Sequence, residues 1–195
     1  MNGRENGKAY QRLFMALRPD EAVVKALGGA CIELKRDKAF EGVRWMRPEN
    51  LHVTLVFLGR QSAEDASRIA ATMTEVAPRH QSFDIVIEGL QTTRNNWQKG
   101  VLMAMVREND SLRNLQLDLA RSLASLDIEG LDQREYMPHV TLARLKQERI
   151  SPDQLSSVNF SLRQQVRTMG LYESITLETG AVYTLLKTVQ LGSRA

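Results

Sequence analysis

Residues 50–59 read Asn50-Leu51-His52-Val53-Thr54-Leu55-Val56-Phe57-Leu58-Gly59, and residues 139–142 repeat the centre of that stretch as His139-Val140-Thr141-Leu142. The chain has three histidines, so two of the three carry the same tail. At average residue usage a given His is followed by Val-Thr-Leu roughly once in a few thousand cases. Two occurrences in one chain of this size point to one paired site that the rest of the chain brings together.

Both motifs lie in strand-like runs. Residues 51–58 are rich in Leu, Val, Thr and Phe, and Gly59 closes them; residues 136–145 hold the second motif. On a strand, residues two apart share a face. His52 and Thr54 therefore project together, while Val53, Leu55 and Phe57 anchor the strand in a core. His139 and Thr141 project in the same way, backed by Val140 and Leu142. Two such strands side by side supply two imidazoles and two hydroxyls. Imidazole has an unperturbed pKa of about 6.5, nearest to neutral pH. One ring can act as general base and the other as general acid, while the hydroxyls hold non-bridging phosphate oxygens. The set suits in-line displacement at phosphorus without metal.

A second similarity has nearly the same offset. His139 lies 87 residues after His52, and Leu102, in Val101-Leu102-Met103-Ala104-Met105, lies 88 after Phe14, in Leu13-Phe14-Met15-Ala16-Leu17. Each of these apolar runs precedes an amphipathic helix and then a motif strand. Val24, Leu27, Cys31 and Leu34 form the first apolar stripe; Leu112, Leu115, Leu119, Leu123 and Leu126 form the later one. The expected fold is α+β: two pseudo-symmetric lobes, each an antiparallel sheet flanked by helices, with the active-site groove between them. Ser62 caps a further helix that runs to about Pro78, Asn109 or Asp110 caps the one after residue 106, and Ser151-Pro152 starts a short one. Further strands are expected near residues 43–47, 83–87, 99–106, 166–173 and 181–186, with a turn at Asn95-Asn96. Residues 1–9 are expected to be a disordered lead-in, and residues 10–195 a single bilobal domain.

Composition sets the wider limits. With 43% apolar and 25% charged residues, the chain is an ordinary globular protein. No run approaches the length of a membrane span, and the polar N-terminus lacks the apolar core of a secretory signal. Cys31 is alone, which excludes an internal disulfide and a cysteine metal cluster. A cytoplasmic monomer without membrane association is expected. The formal net charge of +3 and pI of about 9.2 suit a polyanionic substrate. The arginines are scattered, as in a groove that accepts a phosphate rather than a duplex binder.

Other residues carry weaker signals. The two histidines have no HxH, HExxH or CxxC spacing, so zinc is the lesser reading. His80, after Pro78, reads as a loop residue and Cys31 as core. Arg144 is a substrate-binding candidate, although strict alternation puts it on the face opposite His139. It reaches the cleft only if a bulge or the strand end turns it inward. Trp45, Trp97, Phe57 and Tyr136 can stack on a base, with core or rim packing the plainer role for each.

The motifs resemble those of the two-histidine (HxTx) phosphoesterase superfamily, closest to the bacterial and archaeal RNA 2′,3′-cyclic phosphodiesterases, also called 2′-5′ RNA ligases. Arg47-Pro48-Glu49-Asn50 leading into the first motif, Tyr136-Met137-Pro138 leading into the second, the run from Arg12 to Leu17 and the closing Gly180-Ala181-Val182-Tyr183 carry the likeness over nearly the whole chain. Leu185-Leu186 departs from the expected pattern, in which a Pro stands beside the Leu. The resemblance implies hydrolysis of RNA 2′,3′-cyclic phosphate ends, including those of tRNA fragments, to 2′-phosphates, with 2′-5′ joining in the reverse sense. It implies His52 as proton donor to the departing 3′ oxygen, His139 as acceptor of the proton from water, and Thr54 and Thr141 as phosphate holders. No metal or cofactor is implied. The alternatives are a phosphodiesterase for a small cyclic phosphate or 2′-5′ oligonucleotide, and a non-catalytic RNA-end-binding module.

Overall fold

The computed structural model describes residues 4–5, 8–94, 100–128, 130–131, 134–145, 150–178 and 180–193. In chain order the elements are β1 (Arg4–Glu5), β2 (Lys8–Leu17), α1 (Glu21–Leu34), β3 (Arg44–Trp45), β4 (Val53–Ser62), α2 (Ala63–Val76), β5 (Phe83–Arg94), β6 (Gly100–Val106), α3 (Asp110–Ala124), β7 (His139–Leu145), α4 (Pro152–Ser156), β8 (Ser161–Val166), β9 (Thr168–Leu177) and β10 (Gly180–Gln190). Three 3₁₀ turns lie between them, one of which (Pro48–Asn50) leads into the first motif. Strand pairing begins inside the expected lead-in, where Arg4 and Glu5 pair with Ala9 and Lys8. The rest of that lead-in (1–3 and 6–7) and the expected Asn95-Asn96 turn lie outside the described residues.

The strands form one antiparallel path in the order β10-β9-β2-β4-β7-β6-β5-β8, with β1 beside β2 and β3 beside β7. Each run of the internal repeat pairs with its own motif strand: β2 with β4, and β6 with β7. The two expected sheets are thus the halves β10-β9-β2-β4 and β7-β6-β5-β8. They join where Val53 opposes Val140, so the equivalent residue of each motif marks the seam.

Helix caps are as the side chains dictate. Asp20, Ser62, Asn109 and Ser151 each accept a backbone N–H from the first turn of the helix they start. The helices bury stripes at helical spacing, such as Leu112, Leu115, Leu119 and Leu123 on α3. One core unites both halves, with Leu27, Val53, Met73, Leu115 and Val140 as members. In β2, Leu13, Met15 and Leu17 belong to this core, whereas Phe14 and Ala16 point to the other face and pack with Tyr172. That second face carries the candidate site.

Three expectations about the strands change. Gly59 does not end β4, which runs on to Ser62. Gly59 instead has φ of +69° and forms part of an irregularity in the β2–β4 register; a Cβ there would lie 3.2 Å from the Gly130 carbonyl oxygen. Strand β8 was not among the expected elements. Strands β5 and β10 extend well past their expected ends, to Arg94 and Gln190.

Candidate functional site

The Leu of each His-Val-Thr-Leu is an extra residue in its strand. In the β2–β4 pairing Ala16 opposes Thr54 but Met15 opposes Val56, so Leu55 is unpaired. In the β6–β7 pairing Met103 opposes Thr141 but Leu102 opposes Ala143, so Leu142 is unpaired. A β-bulge shifts every later side chain to the other face. Both bulges therefore turn the residue three past the Thr onto the same face as the motif's His and Thr. In the first motif that residue is Phe57, and in the second it is Arg144.

Two readings are decided by this. Arg144 is exposed and lines one open groove with His139 and Thr54, so the bulge supplies the inward turn that strict alternation denied it. Phe57 is corrected: it is 43% exposed, pairs with Phe14 on the cleft face and lines the same groove, rather than anchoring β4 in the core. The groove encloses about 660 Å³, and Val101 and Tyr136 also line it.

The antiparallel register at Val53 and Val140, carried one residue to either side, sets His52 against Thr141 and Thr54 against His139. The histidines are held alike. His52 Nδ1 lies 2.7 Å from the Asn50 carbonyl oxygen, and His139 Nδ1 lies 2.7 Å from the Met137 carbonyl oxygen. A carbonyl only accepts, so each Nδ1 carries a hydrogen and donates it. Each neutral ring then keeps its lone pair on Nε2, the atom free to exchange a proton with a ligand.

Their surroundings differ. His52 is half-buried among aromatic rings, with Phe14 at 4.9 Å and Tyr183 edge-on at 5.2 Å between centroids. It opens on a narrow cleft with Arg18, Leu51 and Tyr172. Burial pushes the His52 pKa below the usual imidazole value; its hydrogen bond to Asn50 opposes that, and the nearby His139 imidazole adds to it. Phe14 escaped the sequence reading because Leu13–Leu17 is apolar throughout, which hides the alternation that sends Phe14 to the cleft face.

The remaining candidates lie elsewhere. His80 bonds through Nε2 to Asp118 at 3.0 Å and serves to tie its turn to α3. Cys31 packs against the core, and burial pushes its thiol up to about 11. Trp45 packs on Phe40 and under Lys35. Trp97 lies outside the described residues. Tyr136 borders the groove, but its hydroxyl is buried and its pKa is raised by that burial. Among the described residues no group of three or more His, Cys, Asp or Glu converges as a metal-binding set, and no helix is long and apolar enough to cross a membrane.

Known proteins resemble this chain in sequence and fold. The LigT-like phosphoesterase family model matches residues 17–103. The RNA 2′,3′-cyclic phosphodiesterase of Archaeoglobus fulgidus is 29% identical over 182 residues, covering 90% of this chain and 98% of that protein. The Aquifex aeolicus protein of the same name is 28% identical, covering 76% of this chain and 82% of its own. Among solved structures, a Thermus thermophilus protein superposes with a TM-score of 0.79 at 28% identity, covering 94% of this chain and all of that one. Escherichia coli LigT, in a complex with ATP, has the same fold with a TM-score of 0.74 at 22% identity, covering 94% of this chain and 99% of its own. The shared fold, the relatives matched along nearly their whole length and the family match agree: this chain is similar to the LigT-like phosphoesterases.

Proposed function

We propose that the chain hydrolyses RNA 2′,3′-cyclic phosphate ends to 2′-phosphomonoesters by two-histidine acid–base catalysis. The observation that carries this reading is the matched pair of Nδ1 hydrogen bonds, which leaves an Nε2 on each imidazole free for proton transfer. His139 Nε2 takes a proton from water as its oxygen attacks phosphorus. The bond from phosphorus to the ribose O3′ breaks on the far side, and His52 Nε2–H gives O3′ its proton. The products are a 2′-phosphate and a 3′-hydroxyl, with one proton gained by His139 and one lost by His52. Thr54 and Thr141 hydroxyls donate to the non-bridging oxygens. Arg144, turned inward by its bulge, neutralises the charge that builds on them. The exposed ring of Phe57 offers a stacking surface for the terminal base. An RNA 5′-hydroxyl in place of water uses the same two transfers and yields a 2′-5′ bond.

His52 has to be protonated to act as donor, while burial favours its neutral form. The anionic phosphodiester supplies the opposite charge in a desolvated cleft, so substrate binding raises the His52 pKa. The relatives named RNA 2′,3′-cyclic phosphodiesterase support the choice of RNA.

The test is product analysis on an RNA ending in a 2′,3′-cyclic phosphate, with and without EDTA. The expected product is a 2′-phosphate in both cases. Loss of activity in EDTA overturns the metal-free chemistry. A 3′-phosphate product assigns the other ribose oxygen as leaving group. Full activity in His52→Ala or His139→Ala overturns the acid–base roles, each of which is worth about 10²–10⁴-fold in rate.

A further inference from the structure

Arg144 has a neighbour of like charge. On the short strand β3, Arg44 is the registered antiparallel partner of Arg144, and Trp45 is the partner of Ala143. Directly opposed residues share a face. Ala143 is fully buried, which leaves Arg44 and Arg144 together on the cleft side, both exposed. The row continues across the sheet through Val101 on β6 and Thr93 on β5, and both of these line the groove beside Arg144. Arg44 is therefore the outer end of a row that forms one side of the groove.

Opposed like charges on neighbouring strands destabilise a sheet. Among the described residues no carboxylate forms an ion pair with either guanidinium. Some other exposed arginines are matched, such as Arg107 with Glu88, Arg163 with Asp84 and Arg68 with Asp65, while Arg36, Arg47 and Arg121 form no ion pair among the described residues. Among the described residues the pair at the groove has no carboxylate partner and stands as a double positive charge. The Arg44 guanidinium also has a set position. It lies against the β9–β10 turn, where a Cβ on Gly180 would be 2.9 Å from its Nη2; Gly180, lacking that atom, leaves it room. Asn50, just ahead of the first motif, donates to the Ala181 carbonyl at 2.8 Å and fixes the same turn beside the site.

We infer that Arg44 binds the RNA backbone phosphate next to the terminal cyclic phosphate, and so makes the protein prefer an RNA end over a free cyclic nucleotide. Arg44 stands one strand spacing, about 5 Å, beyond Arg144. With the terminal phosphate at the histidines and Arg144, the chain that leaves along this row carries its next negative charge past Arg44. A polyanion bridging both guanidinia relieves their repulsion, whereas a mononucleotide reaches Arg144 alone. The inference rests on the phosphodiesterase reading above.

The experiment compares kcat/KM for a short RNA ending in a 2′,3′-cyclic phosphate with kcat/KM for a 2′,3′-cyclic mononucleotide. In Arg44→Glu the ratio of RNA to mononucleotide should fall about tenfold, the size of one lost charge-assisted contact, and Arg44→Lys should recover most of it. The salt dependence of log KM for the RNA should flatten by about 0.7, the single-strand value for one phosphate contact. An active wild type whose ratio is unmoved in Arg44→Glu overturns the inference alone. Equal losses on both substrates also overturn it, because Arg44 would then act through Arg144. A wild type inactive on both substrates overturns the phosphodiesterase reading, and the inference with it.

Discussion

The two imidazoles are matched in their hydrogen bonds and unequal in their solvation, and the inequality fixes a pH signature. His52 has its pKa lowered mainly by burial. As the proposed acid it donates only while protonated, so its lowered pKa should reduce kcat/KM, which reports the free protein, as pH rises. In the complex the phosphate anion favours imidazolium, so the alkaline limb of kcat should lie at higher pH than that of kcat/KM. An NMR titration should show the same effect directly, with the His52 midpoint below 6.5 in the free protein and moved upward by inorganic phosphate. A midpoint that phosphate leaves in place, or alkaline limbs that coincide, would remove His52 from the acid role. The sequence exposed the histidines and threonines because their spacing of two matches the pleat. It named Arg144 and Phe57 as candidates but could not orient them, since a one-residue bulge leaves no mark on a Leu that fits either face.

At the level of elements, bulges do more to shape this sheet than strand boundaries. Gly59 and Gly89 both have φ of +69° and both lie at register irregularities, in β4 and β5. Gly is the cheapest residue in that left-handed conformation, so a reading that treats it as punctuation ends the strand where the strand actually kinks and continues. The two sites differ in one respect. A Cβ at Gly59 would meet the Gly130 carbonyl oxygen at 3.2 Å, while one at Gly89 meets nothing within 4 Å. Gly89→Ala should therefore cost about 1–2 kcal/mol from backbone conformation alone. Gly59→Ala should cost more, because the backbone around Gly130 also has to yield. Urea denaturation of the two variants measures the difference, and equal costs would show that the loop carrying Gly130 gives way freely. Strand β8 was missed for a related reason. Its inward positions are Leu162, Gln164 and Val166, and the polar Gln164 in the middle breaks the apolar alternation that announces a strand.

That glutamine matters most at the scale of the whole molecule. At the seam β4 and β7 share a single registered residue pair, Val53 with Val140, and β3 adds two more to β7, so backbone pairing across it is limited. The common core does much more, and Gln164 adds a polar tie between the halves. From β8 in the second half, its Oε1 accepts the Asp20 N–H at 3.1 Å and its Nε2 donates to the Arg18 carbonyl at 3.3 Å, both at the β2–α1 turn of the first half. Gln164 itself is 6% exposed, and its two partners are part-buried. Gln164→Leu keeps an inward side chain of similar size but removes both hydrogen bonds. Each is worth about 0.5–1.5 kcal/mol net, so the variant should lose about 1–3 kcal/mol in denaturant. Because the core runs under both halves, the loss should appear as a lower midpoint of one transition seen alike by tryptophan fluorescence and far-UV circular dichroism. Two separated transitions would mean that the halves fold independently and that the paired histidines are brought together only after each half has formed.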